Sequence, residues 1–147
     1  MLRFIASLLL ALFVAGHALA AGADHTRFAL TVPMLQQYRA AALELKKLEN
    51  TKKEKAKEED DEDDDDKSVE DIARELDATP GVKPVLARNG FTSQSFALTT
   101  LALVHASMYL SMEPSMDKKK AASLLASYPK ETQANIELLR KNGNLLR

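Results

Sequence analysis

The stretch that most narrows what this chain can fold into is "NGFTSQSFALTTLALVHASMYLSMEP", where residues 96–110 are apolar on nearly every helical face. Its polar members are Thr99, Thr100, His105 and Ser107. Hydroxyls in a helix can bond back to carbonyls one turn earlier, so their burial is inexpensive. A membrane span needs about 18–20 mostly apolar residues, and this run is shorter and closes at Glu113-Pro114. A helix of such length with no polar side is expected at the centre of a bundle. Thr92 has the chemistry of an N-cap, with Phe91 and Phe96 placed for a hydrophobic staple.

The remaining segments read as helices that cover this one. Pro33 suits a first helical turn, where a missing N–H is harmless. Met34, Tyr38, Ala41, Leu45 and Leu48 then recur at spacings of 4, 3, 4 and 3, a narrow seam of coiled-coil type. Two heptads are too few for an intermolecular coiled coil, so the seam is read as a contact within the bundle. Ser68 is placed as the N-cap of a helix carrying Val69, Ile72 and Leu76, with Asp71 at N3. "VKPVLARNG" follows as a short helix whose Gly90 suits a left-handed C′ position. After Pro114, Ser115 is expected to cap a helix to about Ser127 that turns Met116, Leu124 and Leu125 inward. Pro129 opens a last helix bearing Ile136, Leu138 and Leu139. No β-alternation of useful length and no internal repeat is visible. The fold class is therefore all-α: an irregular bundle of about five helices around a central apolar helix at about 93–112.

Residues 1–20 have the pattern of a cleavable export signal: Arg3, an apolar run interrupted by Ser7, Gly16 as a breaker, and small residues at Ala18 and Ala20. The expectation is a single helical domain over residues 21–147 in the periplasm or outside the cell, with no membrane span after cleavage. The chain has no cysteine. That excludes thiol nucleophiles, thiolate metal sites and redox chemistry, and a domain of this size needs no disulfide.

Residues 77–108, "DATPGVKPVLARNGFTSQSFALTTLALVHASM", resemble a segment of small exported bacterial helical proteins of uncharacterised function. "TQANIELLRKN", residues 132–142, is similar to their closing helix in a degenerate form. The shared motifs are packing motifs. The resemblance implies an exported helical protein and carries no catalytic residue across.

One low-complexity segment, residues 52–67, interrupts the domain: "KKEKAKEEDDEDDDDK". Its nine consecutive acids are Glu58, Glu59, Asp60, Asp61, Glu62, Asp63, Asp64, Asp65 and Asp66. The whole chain carries 20 Lys+Arg against 21 Asp+Glu, so this strip balances an otherwise basic body. Like charges at i,i+4 repel and Asp is a weak helix former, so residues 55–67 are expected to be a disordered joint. Lysines at the end of one helix and acids before the start of the next both suit the helix dipoles. The run is longer than that purpose requires, and the surplus points to a basic protein partner.

Divalent-cation binding is the alternative for the run. In an EF-hand register Glu59, Asp61 and Asp63 take positions 1, 3 and 5 and Glu70 takes position 12, but Asp64 stands where the loop needs glycine. Only a weak cation-responsive module survives that comparison. For catalysis, His25 and His105 are the histidines beyond the signal. His25 is expected in a flexible N-terminus, and His105 is read as a neutral core histidine, with no acid or histidine at i±3 or i±4. Lys118, Lys119 and Lys120 are read as a solvated helix start. Sparse aromatics and absent tryptophan give nucleic acid little to stack on. No catalytic constellation and no cofactor motif emerges. The sequence reads as a small exported, non-catalytic helical protein of structural or protein-interaction type, with an uncharacterised enzyme as the remote alternative.

Overall fold

The computed structural model describes residues 24–53 and 67–146. The expected export signal and the acidic run 58–66 lie outside the described residues. Among these residues the chain is all-α, with six helices and three short 3-10 turns and no strand. The helices are α1 (Val32–Lys53), α2 (Val69–Ala78), α3 (Val82–Arg88), α4 (Ser93–Met112), α5 (Lys118–Ser127) and α6 (Lys130–Asn142). The central helix is α4, which packs against α1, α2, α3, α6 and the turns His25–Arg27 and Glu113–Ser115.

The start of α4 is fixed by its sequence. Thr92 accepts a bond from the Ser95 N–H at 3.0 Å, and the Ser95 hydroxyl accepts from the Thr92 N–H at 2.9 Å, a reciprocal capping box. Phe91 meets Phe96 edge-on at 5.5 Å, which completes the expected staple. The preceding turn is a Schellman closure: the Phe91 N–H reaches the Leu86 carbonyl and the Gly90 N–H the Ala87 carbonyl. Gly90 takes φ +82°, the left-handed conformation that a side chain would strain.

Three clusters make the core. The largest joins Leu35, Leu103, Ala106, Tyr109, Ile136 and Leu139. A second holds Ala41, Val82, Leu86, Phe91 and Phe96, with Tyr38 stacked on Phe96 at 4.9 Å. A third packs Val69, Ala97 and Leu98 under α2. Full burial of a Leu or Ile such as Leu35, Leu98 or Ile136 stabilises the fold by about 1.5–3 kcal/mol each. Thr99 and Thr100 donate to the Ser95 and Phe96 carbonyls one turn back, as expected for hydroxyls on a core helix.

Three local expectations are corrected. In α1 Ala41 is fully buried, as its place in the seam requires, but so is Leu35, which stands off the seam, whereas Met34 is only half-buried. From Tyr38 onward the seam keeps its register, with Tyr38 and Leu45 packed against the core. Asp117, not Ser115, caps α5, accepting from the Lys120 N–H at 2.8 Å. Residues Glu113–Ser115 continue from α4 as a 3-10 turn, and the Ser115 hydroxyl donates to the Met112 carbonyl. Beyond α6, Gly143 opens a 3-10 turn, Gly143–Leu146, whose Leu145 and Leu146 pack on the core.

The third concerns the N-terminal segment, where His25 is held and not free. Asn135, 2% exposed on α6, accepts from the Leu30 N–H at 2.8 Å and donates to the Phe28 carbonyl at 2.7 Å. Thr132 donates to the Thr26 carbonyl at 2.7 Å. One helix thereby satisfies three backbone groups of the strap from Thr26 to Leu30.

Candidate functional site

Although α4 is apolar on nearly every side, it is covered on only part of its circumference. Ser93, Phe96, Ala97, Leu98, Thr99, Ala102, Leu103, Ala106 and Tyr109 are buried. Val104, Met108 and Met112 are 51%, 54% and 40% exposed. Their spacing of four places them in one row along the helix. From Ser93 to Ser115 the segment is long and apolar enough to cross a membrane by length and composition, and less than half of that stretch is buried in the fold.

Beside this row lies a groove of about 350 Å³ between α1 and α4. Ala42, Leu43, Leu103, Val104 and Leu146 form its apolar walls, and Tyr38, Thr100 and Ser107 add hydroxyls. Leu43 is 52% exposed, so the two sides of the groove carry matching open leucine and valine. Thr100 is not free to hydrogen-bond a guest, since its hydroxyl already serves Phe96 and the Tyr38 hydroxyl at 3.3 Å. The charged members are Arg39 and Lys46, both exposed and both from α1. Neither has an acidic partner among the described residues, and no acid lines the groove. The α1 acid Glu44 is engaged with α3 and the turn after it. Glu44 is held by Arg88 at 2.6 Å and by the Asn89 amide at 3.2 Å, bonds that draw its pKa below the usual carboxylate range.

A second cluster surrounds His105. The His25 ring from the strap meets it edge-on at 5.8 Å, and Tyr128 does so at 5.1 Å. Among the described residues the buried His105 Nδ1 has no hydrogen-bond partner. Burial foremost, and His25 next, push its pKa down, against a smaller upward pull from Asp24. The ring is a poor candidate for metal ligation through Nε2. That would require a proton on Nδ1 with nothing to receive it. Among the described residues no group of three or more His, Cys, Asp or Glu could hold a metal ion.

Of the sequence-predicted site residues, Glu58 to Asp66 lie outside the described residues, and with them the EF-hand positions Glu59, Asp61 and Asp63. Glu70 sits in the first turn of α2, where Ser68 caps the helix by accepting from the Asp71 N–H. Lys118, Lys119 and Lys120 form the first turn of α5 behind the Asp117 cap. The groove residues were missed in the sequence, although a signal existed. Leu43 stands off the α1 seam, and Val104, Met108 and Met112 alternate with Ser107 and Ser111 as one row. Compared with known protein families, curated proteins and solved structures, the chain matches none.

Proposed function

We propose that this chain is a small exported protein that works by binding and not by catalysis, and that its docking surface is the open apolar face shared by α1 and α4. The observation that carries this reading is the continuity of Leu43, Val104, Met108 and Met112 with the groove between the two helices. Scattered exposed leucines are ordinary, but a contiguous apolar row beside a formed groove marks an interaction surface. Methionine suits such a surface because its unbranched chain adapts to the guest.

A photo-crosslinking amino acid placed at Leu43 or at Val104 tests the reading in envelope extract, with the same group at exposed Ala134 on α6 as control. Adducts that form at both groove positions and are absent at the control position support it. No adduct at either groove position, or equal adducts at all three, refutes it. Fractionation of cells expressing the full chain tests export, and retention of all the protein with cytoplasmic markers contradicts it.

A further inference from the structure

The groove has a chemistry that selects its occupant. Its walls are aliphatic, its volume of about 350 Å³ lies at the lower end of the roughly 300–1,000 Å³ typical of small-molecule sites, and among the described residues its charges are cationic. Arg39 and Lys46 stand seven residues apart on α1, hence on one side of the helix two turns apart. Two positive charges in a lining that holds no acid among the described residues form a concentrated attraction for an anion beside an apolar slot. The α1 wall covers about 10 Å of helix, too short a track for a partner helix of ordinary length but sufficient for an alkyl chain.

Resting on the reading of this face as a binding surface, we infer that the groove takes a monomeric single-chain amphiphile with an anionic head, of the fatty-acid type. The chain lies against Ala42, Leu43, Leu103 and Val104, and the carboxylate is held at the rim by Arg39 or Lys46. Lengthening the chain covers the half-exposed Leu43 and Val104, so affinity rises with each methylene. Full burial of one methylene corresponds to roughly fourfold, and an open groove yields roughly two- to fourfold. The rim cations add the contribution of exposed ion pairs, a few-fold each.

The test is calorimetric titration of the full chain at pH 8 with octanoate, decanoate and dodecanoate below their micelle concentrations, beside dodecyltrimethylammonium. The expected result is tightening of roughly four- to sixteenfold from decanoate to dodecanoate, with weaker binding of the cationic head. The double variant Arg39→Gln/Lys46→Gln should weaken dodecanoate by roughly three- to tenfold and leave the cationic amphiphile unchanged or tighter. Val104→Asp, at an exposed position, should abolish both, and Leu43→Asp repeats that test should the first variant melt abnormally. Equal binding of the two heads, no dependence on chain length, or binding that survives both Asp variants overturns the inference. So does binding to anionic phospholipid vesicles with none to monomeric dodecanoate. If no amphiphile binds while Leu43 and Val104 still crosslink a macromolecule, this inference falls and the docking surface stands. If both experiments are blank, both fall.

Discussion

Asn135 offers the most direct test of how the bundle is held, because one buried side chain closes two hydrogen bonds to a segment more than a hundred residues away. Truncation in Asn135→Ala leaves the Leu30 N–H and the Phe28 carbonyl without partners. Leu30 is 7% exposed, so water cannot readily replace the lost acceptor. Each buried unsatisfied group costs about 1–3 kcal/mol, and the half-buried Phe28 belongs at the lower end. A loss of about 2–4 kcal/mol results. For a domain of this size it lowers Tm by roughly 10–15 °C. The assay is thermal melting followed by circular dichroism, paired with amide hydrogen exchange. Exchange at Leu30 should accelerate by a larger factor than exchange in α4, since the strap can open without the core.

Asn135→Asp separates hydrogen bonding from packing. When ionised, the substituted carboxylate still accepts from the Leu30 N–H but turns its second oxygen toward the Phe28 carbonyl, whereas the protonated acid can donate there as the amide does. Its folded pKa is therefore raised above the ordinary value of about 3.9. Stability held by the protonated form is fully present below the unfolded pKa and is lost as pH rises through the folded pKa. Relative to wild type, this variant should recover on acidification. A Tm within about 2 °C of wild type for the Ala variant, together with unchanged Leu30 exchange, would refute the account of the strap.

Other expectations follow from the same structure. His105, with its pKa pushed down chiefly by burial, binds fewer protons folded than unfolded, so its contribution is complete above about pH 6.5 and declines as pH falls below that value. His105→Leu should flatten the dependence of Tm on pH between 8 and 5, and an unchanged slope would place the effect elsewhere. Gly90→Ala forces a side chain into φ +82° and brings its Cβ to 3.2 Å from the flexible Gln37 amide. The backbone term dominates and should cost about 1–2 kcal/mol, visible as a lower urea midpoint with unchanged m. Tyr109, 1% exposed, donates to the Ala121 carbonyl at 3.0 Å. Tyr109→Phe should cost about 0.5–1.5 kcal/mol in the same melt, and no loss would mean that α5 is not pinned there. For the acidic run, millimolar calcium and magnesium at equal ionic strength should shift Tm equally if charge screening is the whole effect. A larger calcium shift would establish a site.

What the sequence made legible was governed by short-range chemistry. Thr92, Ser95, Phe91 and Phe96 act within one turn of helix, so α4 could be started at the correct residue from the string alone. Ser68 and Gly90 belong to the same category. Asn135 and Thr132 do not, because their partners lie 105 to 107 residues away and are backbone groups without sequence identity. A polar residue on the inward stripe of α6 was readable as an anomaly, but what it served was not. His25 followed suit, since its ring neighbours His105 only because that strap is tied down.

The groove illustrates why an all-apolar helix leaves its own environment open. Periodicity identifies a polar side when there is one, and α4 offers only Ser107 and Ser111 as a weak mark of its open part. That choice is made by α1. Its first half engages α4 through Leu35 and Tyr38, whereas its second half leans toward α3. Leu45 packs with Val82 and Leu86, Leu48 sits beside Gly81, and Glu44 is tied to Arg88 and Asn89. Leu43 and Val104 line the space between this half of α1 and α4, and that space is the groove. The same contacts that steady α1 against α3 thus hold the slot open, so a guest finds it formed and loses little affinity to ordering it. Loosening that attachment with Glu44→Ala should weaken dodecanoate binding although Glu44 lines no part of the groove. Undiminished affinity in a variant that has lost the Arg88 ion pair would show that the slot is held open by something else.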